Sequence, residues 1–124
     1  MPNKKYLIGY RFEKKTATVI RDMFNKYDYL LYYIIESRGS KGKADLIVGV
    51  TNLNTGKRTW FGVQCKRGYI SKPQMHRNAR LAMKENGMLL YHATLDKDKK
   101  LAFYPNLELE ISGMGIMVET VIDD

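Results

Sequence analysis

Cysteine is almost missing from this chain: Cys65 is the only one in 124 residues. That excludes an internal disulfide and a cysteine-built zinc site, and leaves mainly oxygen ligands for any metal. Histidine is nearly as scarce, and His76 and His92 lack metal-ligand spacing, so both read as structural or as facing a polyanion. No apolar run approaches the roughly 18 residues that a membrane-spanning helix needs. The opening Met-Pro-Asn-Lys-Lys leads into no signal-peptide core. The expectation is a soluble, intracellular, cytoplasmic protein with no membrane partner. No Gly-x-x-x-x-Gly-Lys-Ser/Thr pattern surrounds Lys41 and Lys43, so a nucleotide-phosphate loop of that kind has no support.

Acidic residues are also in short supply, and unevenly so. Residues 1–94 hold 18 Lys and Arg against 6 Asp and Glu, whereas residues 95–124 hold 3 against 7. A basic body with a pI near 9.6 suits a polyanionic partner, most commonly nucleic acid. The hydrophobic share of 44% and charged share of 27% are those of a folded protein. The length suits one domain over residues 1–124 and is short for two.

Along the chain, residues 1–11 read as a basic lead-in arm. From Phe12 to about Tyr27, Phe12, Thr16, Val19, Ile20, Met23, Phe24 and Tyr27 recur at helical spacing. Glu13 falls on the same stripe as Ala17, Ile20 and Phe24. It either caps the helix dipole or points into a polar site beside the core. Tyr29–Ile35 reads as a buried strand. Residues 36–43, with two glycines and two serines among basic residues, form a loop able to approach phosphate closely. Ala44–Thr51 and Arg58–Lys66 form a hairpin about the Asn54-Thr55-Gly56 turn. Pro73 opens a basic amphipathic helix closed by Gly87. Met88–Thr94 and Leu101–Tyr104 are strands, and residues 107–124 are one more strand or a packed tail. The fold class expected is α/β, a central mixed sheet flanked by helices.

The chemistry gathers on the hairpin. Pairing of its two strands sets Asp45, at the start of one, beside Gln64, near the end of the other, and Lys66 follows on the same face as Gln64. Asp45, the Gln64 amide oxygen and the Cys65 carbonyl could hold a divalent ion, with Lys66 placed to orient water. Singly, Asp45 is an ordinary strand start and Lys66 a solvated charge. Together with Glu13 and the Gly/Ser/Lys loop they make a candidate site. Cys65 points to the core and has no base beside it.

The order of Glu13 on an opening helix, then Arg38-Gly39-Ser40-Lys41-Gly42-Lys43-Ala44-Asp45, then Val63-Gln64-Cys65-Lys66, resembles the archaeal-type Holliday-junction resolvases of the PD-(D/E)xK nuclease superfamily. The resemblance spans roughly residues 9–95 and implies a restriction-endonuclease-like fold. It further implies a homodimeric endonuclease that uses Mg²⁺, with Mn²⁺ able to substitute, and nicks branched DNA at four-way junctions. By the same resemblance Glu13, Asp45 and Gln64 are the metal positions, Lys66 the catalytic lysine and Ser40 an assisting loop serine. Arg11, Lys14, Arg38, Lys41, Lys43, Arg67 and Lys72 would hold phosphates around them. Location would be nucleoid-associated, or a host cell for a viral protein. Two residues depart from the family. Gln64 replaces the usual Glu and removes one negative charge, and Glu36 stands where arginine is common, leaving Arg38 to take the phosphate contact. Two alternatives follow: a related nuclease acting on DNA ends or flaps, and an inactive DNA-binding protein of the same fold.

Overall fold

Alternation along the strands sends side chains to two faces of one sheet, and each face receives a helix. The computed structural model describes residues 4–36, 44–108 and 111, and its elements run α1 (Lys4–Phe24), β1 (Leu30–Glu36), β2 (Leu46–Asn52), β3 (Arg58–Cys65), α2 (Lys72–Asn86), β4 (Leu89–Leu95) and β5 (Leu101–Tyr104). The strands lie in chain order, β1-β2-β3-β4-β5. All neighbours are antiparallel except β3 and β4, which α2 joins as a parallel crossover. The expected α/β architecture with a mixed sheet between helices is therefore the observed one, and it is compatible with a restriction-endonuclease-like fold.

One face carries the main core. Leu46, Val48 and Val50 of β2, Phe61 and Val63 of β3 and Tyr91 and Ala93 of β4 pack against Ala17, Ile20 and Phe24 of α1. Ile20 and Phe24 are wholly buried, each contributing about 1.5–3 kcal/mol of burial free energy. Ala82 of α2 meets Ala44, Met88 and Leu90 on the opposite face. That second layer is narrow. β1, expected to be a buried strand, is instead open on one face, with Leu31, Tyr33 and Ile35 60%, 55% and 53% exposed because α2 packs over β4 at the other side of the sheet. Register places Tyr33, Gly49 and Trp60 in one row across β1, β2 and β3. The Tyr33 ring occupies the space above Gly49 that a side chain would fill.

Local signals set the element ends. Ser71 caps α2, its Oγ accepting from the Gln74 N–H, and Gly87 closes the helix in the left-handed region at φ 61°. In the β2–β3 turn the Asn52 carboxamide accepts from the N–H groups of Asn54 and Thr55, and Gly56 takes φ +75°. Three sequence expectations need correction. The supposed lead-in arm is helical from Lys4 onward; no proline interrupts residues 4–11, so the helix expected from Phe12 simply continues upstream. Residues 107, 108 and 111 are helical rather than strand-like, with Leu107 and Ile111 buried four positions apart, the spacing of one helical turn. Glu36, read as the first loop residue, ends β1 opposite Leu46.

A polar chain ties α2 to β4, and its direction is fixed. Arg77 can only donate, and it donates to Gln74 Oε1 at 2.7 Å. Gln74 Nε2 therefore donates to Asn78 Oδ1 at 2.9 Å, and Asn78 Nδ2 to His92 Nε2 at 3.1 Å. His92, 1% exposed, is thus neutral with its proton on Nδ1, and burial holds its pKa below the ordinary 6.5. A lowered folded pKa gives stability that is full above the unfolded value near 6.5 and is lost as pH falls through it. The urea midpoint of the protein should fall between pH 7 and pH 5.5, and His92→Gln should flatten that fall; an unchanged slope would remove His92 as its source.

Gly62 has a different role. A Cβ there would stand 2.6 Å from Met88 Sδ and 2.8 Å from Ala44 Cβ, beneath α2. Met88 can turn, but Ala44 is fixed to the backbone. Gly62→Ala should cost about 1–3 kcal/mol in urea unfolding. Gly49→Ala should cost less, since it displaces only the exposed Tyr33 ring.

Candidate functional site

One end of the sheet collects the residues singled out in the sequence. β1 ends at Glu36, β2 begins after Asp45, and β3 and β4, running parallel, both finish there at Cys65 and Leu95. The N-terminal half of α1 crosses the same end. In a sheet of this kind the carboxyl ends of parallel strands leave room for a ligand.

Asp45 is held by its neighbour strand. Its N–H donates to the Val63 carbonyl at 2.9 Å, and its Oδ2 accepts from the Cys65 N–H at 2.8 Å. Burial raises the Asp45 pKa, and that Cys65 N–H partly offsets the rise. Glu13, on the buried stripe of α1, is also raised, first by burial, then by the charges of Asp45 and of Glu36. The structure thus brings Glu13 and Asp45 together as half-buried acids that repel each other. Cys65 lies against the same pair. Burial pushes its thiol up to about 12 despite its hydrogen bond with Thr16, so it is a packed, inert thiol and no nucleophile.

Gln64 and Lys66 stand on the other parity of β3. Cys65 packs with the α1 core, so alternation turns Gln64 and the exposed Lys66 toward the face of α2. Gln64 pairs in register with His92, and the Lys66 N–H is anchored on the Ala93 carbonyl at 2.9 Å. The register Leu46 opposite Val63 sets Asp45 across from Gln64. Asp45 accordingly lies between two sets, Glu13 and Cys65 on one side of the sheet end and Gln64 and Lys66 on the other.

Lys14 has a partner of its own. Its Nζ is 2.8 Å from the Glu36 carboxylate and 5.3 Å from the centre of the Tyr10 ring. The Glu36 departure is thereby accounted for locally, since its charge meets a cation from α1. Arg11, Arg67 and Lys72 are exposed. Arg38, Ser40, Lys41 and Lys43 lie outside the described residues. Sequence reasoning missed the cations Lys15 and Lys99. The first lies in the expected helix but is grouped with Arg11 only once the helix continues back past Phe12, and the second is missed because nothing local distinguishes a turn lysine.

Among the described residues, no three His, Cys, Asp or Glu side chains converge as a ready metal cage. The donor chemistry nonetheless fits a hard cation of the Mg²⁺ type. Among the described residues no counter-charge is seen between the two carboxylates with raised pKa values, an amide oxygen is nearby in register, and such an ion is commonly held by one or two carboxylates plus water. No family model matches this chain, and no curated protein or solved structure is significantly similar to it.

The electrostatics yield a prediction. Because folding raises both carboxyl pKa values above their ordinary 4.5 and 3.8, the stability tied to protonation is full below about pH 4 and lost as pH rises through the folded values. At pH 7 Asp45→Asn removes the repulsion and keeps an acceptor for the Cys65 N–H. It should raise the metal-free melting temperature by roughly 2–5 °C. Mg²⁺ should raise the melting temperature of the wild type and not of the variant; a variant that melts lower without metal would show the carboxylate to be structural.

Proposed function

We propose that this protein is a metal-dependent endonuclease that hydrolyses phosphodiester bonds in branched DNA, in the manner its resemblance to the junction resolvases implies. The observation that carries the reading is the pair Glu13 and Asp45, two mutually repelling half-buried acids delivered from separate elements to a sheet end rimmed by basic residues. A bare structural role would be expected to set a cation between them, yet Lys14, next to Glu13 on α1, is engaged by Glu36. A divalent ion bound there would supply charge neutralisation of the phosphoryl oxygens and a more acidic attacking water.

The side chains divide the remaining work. Glu13 and Asp45 hold the ion, with the Gln64 amide oxygen as a neutral third ligand. Lys66 Nζ donates a hydrogen bond to the attacking water or to a non-bridging oxygen of the scissile phosphate, and Ser40 hydrogen-bonds the same region. Arg11, Arg67, Lys72 and the basic residues of 38–43 hold flanking phosphates. Four-way junctions present two equivalent strands, so a two-fold homodimer would place one centre on each. The open apolar row of Leu31, Tyr33, Ile35 and Trp60 is a surface such a dimer could cover.

Gln64 favours a second reading, since it leaves the site one charge short: a DNA-binding protein of the same fold without cleavage. Labelled four-way junction and matched duplex, each with Mg²⁺, Mn²⁺ or chelator, separate the two. The nuclease reading expects paired nicks in the junction that require the ion and fall by about 10²-fold or more in Asp45→Asn and Lys66→Ala. It also expects Gln64→Glu to lower the Mg²⁺ concentration needed. Junction binding without nicks in either ion would instead establish the binding protein.

A further inference from the structure

At the same end of the sheet as the carboxylate pair lies a cavity of about 360 Å³ lined by α1, the end of β3 and the β4–β5 turn. Its floor is apolar, with Phe12 and Leu95, and its walls carry Arg11, Lys15, Arg67 and Lys99. Arg11 and Lys15 are one helical turn apart on α1, Arg67 follows the end of β3, and Lys99 sits in the β4–β5 turn. Three separate elements thus contribute four cationic residues to the lining of one space. That volume falls within the roughly 300–1,000 Å³ of ordinary ligand pockets.

Two features argue against a merely solvated surface. Among the described residues, the ion pairs are Lys14 with Glu36 and Lys26 with Glu108, and none of the four pocket cations takes part. Lys99 is also held in place by its backbone. The Asp96 carboxylate accepts from the N–H groups of Asp98 and Lys100 at 2.8 and 2.9 Å, and the Lys99 N–H donates to the Asp96 carbonyl at 3.0 Å. Lys99 adopts φ 60°, the left-handed region uncommon for a residue with a Cβ. The Asp96 carboxylate is therefore used to shape the turn, and the lysine is presented on it.

We infer that Arg11, Lys15, Arg67 and Lys99 form a phosphodiester-binding cradle, separate from the carboxylate pair, that grips the nucleic-acid backbone next to the bond to be cut. The inference rests on the nuclease reading for its ligand and adds Lys15 and Lys99 to the recognition surface. Like-charged groups gathered around one cavity repel, and an oxyanion relieves that repulsion while accepting their hydrogen bonds. The apolar floor suits a sugar edge. Its position at the same end of the sheet as Glu13 and Asp45 lets one strand run from cradle to carboxylates.

The test measures binding of labelled four-way junction in chelator, so that cleavage plays no part, over a series of salt concentrations. Lys15→Gln with Lys99→Gln should weaken binding about tenfold and lower the magnitude of the salt slope by about 2. Arginine at both positions should restore both quantities. The matched control, Lys57→Gln with Arg58→Gln, removes the same charge at the hairpin on the opposite end of the sheet and should change affinity less than about threefold. Equal losses in the two pairs would show diffuse attraction and overturn the cradle, as would unchanged binding in the Lys15 and Lys99 pair. Either result leaves the nuclease reading intact if the wild type still nicks junctions. Conversely, weakened binding in a protein that never cleaves would keep the cradle and discard the nuclease.

Discussion

The antiparallel pairing of β2 with β3, Leu46 opposite Val63, is the constraint from which the rest of this architecture follows. It sends Leu46, Val48, Phe61 and Val63 to one face, where α1 covers them, and sets Asp45 beside the end of β3, where the Cys65 N–H reaches its carboxylate. A slip by one residue would turn every one of these side chains over and expose the core of β2. Gly62 shows how closely the register is drawn, since even a methyl group there would meet Ala44 and Met88. The Asx-type turn at Asn52 holds the other end of the same hairpin.

A carboxylate on the buried stripe of α1 is the costly element in this design. Glu13 gains nothing from burial and is further opposed by Asp45 and Glu36. Proteins keep such destabilising arrangements chiefly where a ligand offsets them, which is why perturbed acids cluster at functional sites. The pairing of Lys14 with Glu36 fits the same logic. It neutralises the rim while leaving the inner two carboxylates facing each other. Beside them the cations of α1, the end of β3 and the β4–β5 turn face a separate cavity. The sheet end therefore has a divided character, with concentrated negative charge set into a positive surround. A phosphodiester approaching such a surface is attracted by the surround and meets the acids only with a cation between.

The layering also explains what is left open. α2 packs over β4, and its single wholly buried residue, Ala82, needs little area. The strands farthest from it, β1 and the neighbouring part of the sheet, keep Leu31, Tyr33, Ile35 and Trp60 in solvent. The polar chain from Arg77 to His92 replaces apolar packing along part of the α2 contact. It gives that contact direction and a dependence on protonation that a wholly apolar seam would lack.

By itself the sequence determined most of the elements and the parity of the hairpin strands. The hairpin about Asn54-Thr55-Gly56, the helix closed by Gly87 and the inward parity of Phe61, Val63 and Cys65 are local consequences of turn chemistry and period. It also placed Glu13 on a buried stripe, because helical spacing is visible wherever apolar residues mark it. It did not show that residues 4–11 continue the same helix, since the apolar stripe read from the sequence begins at Phe12. For that reason the stripe of Ile8, Arg11, Phe12 and Lys15 went unseen. Nor could it show that Glu36 pairs with Lys14, that the Cys65 N–H and not its side chain serves Asp45, or that Lys99 joins Arg11 across more than eighty residues. Those juxtapositions were decided by the tertiary structure alone. Strand order and the parallel crossover bring distant chain segments to one sheet end, and no local periodicity records where two segments far apart in sequence will meet.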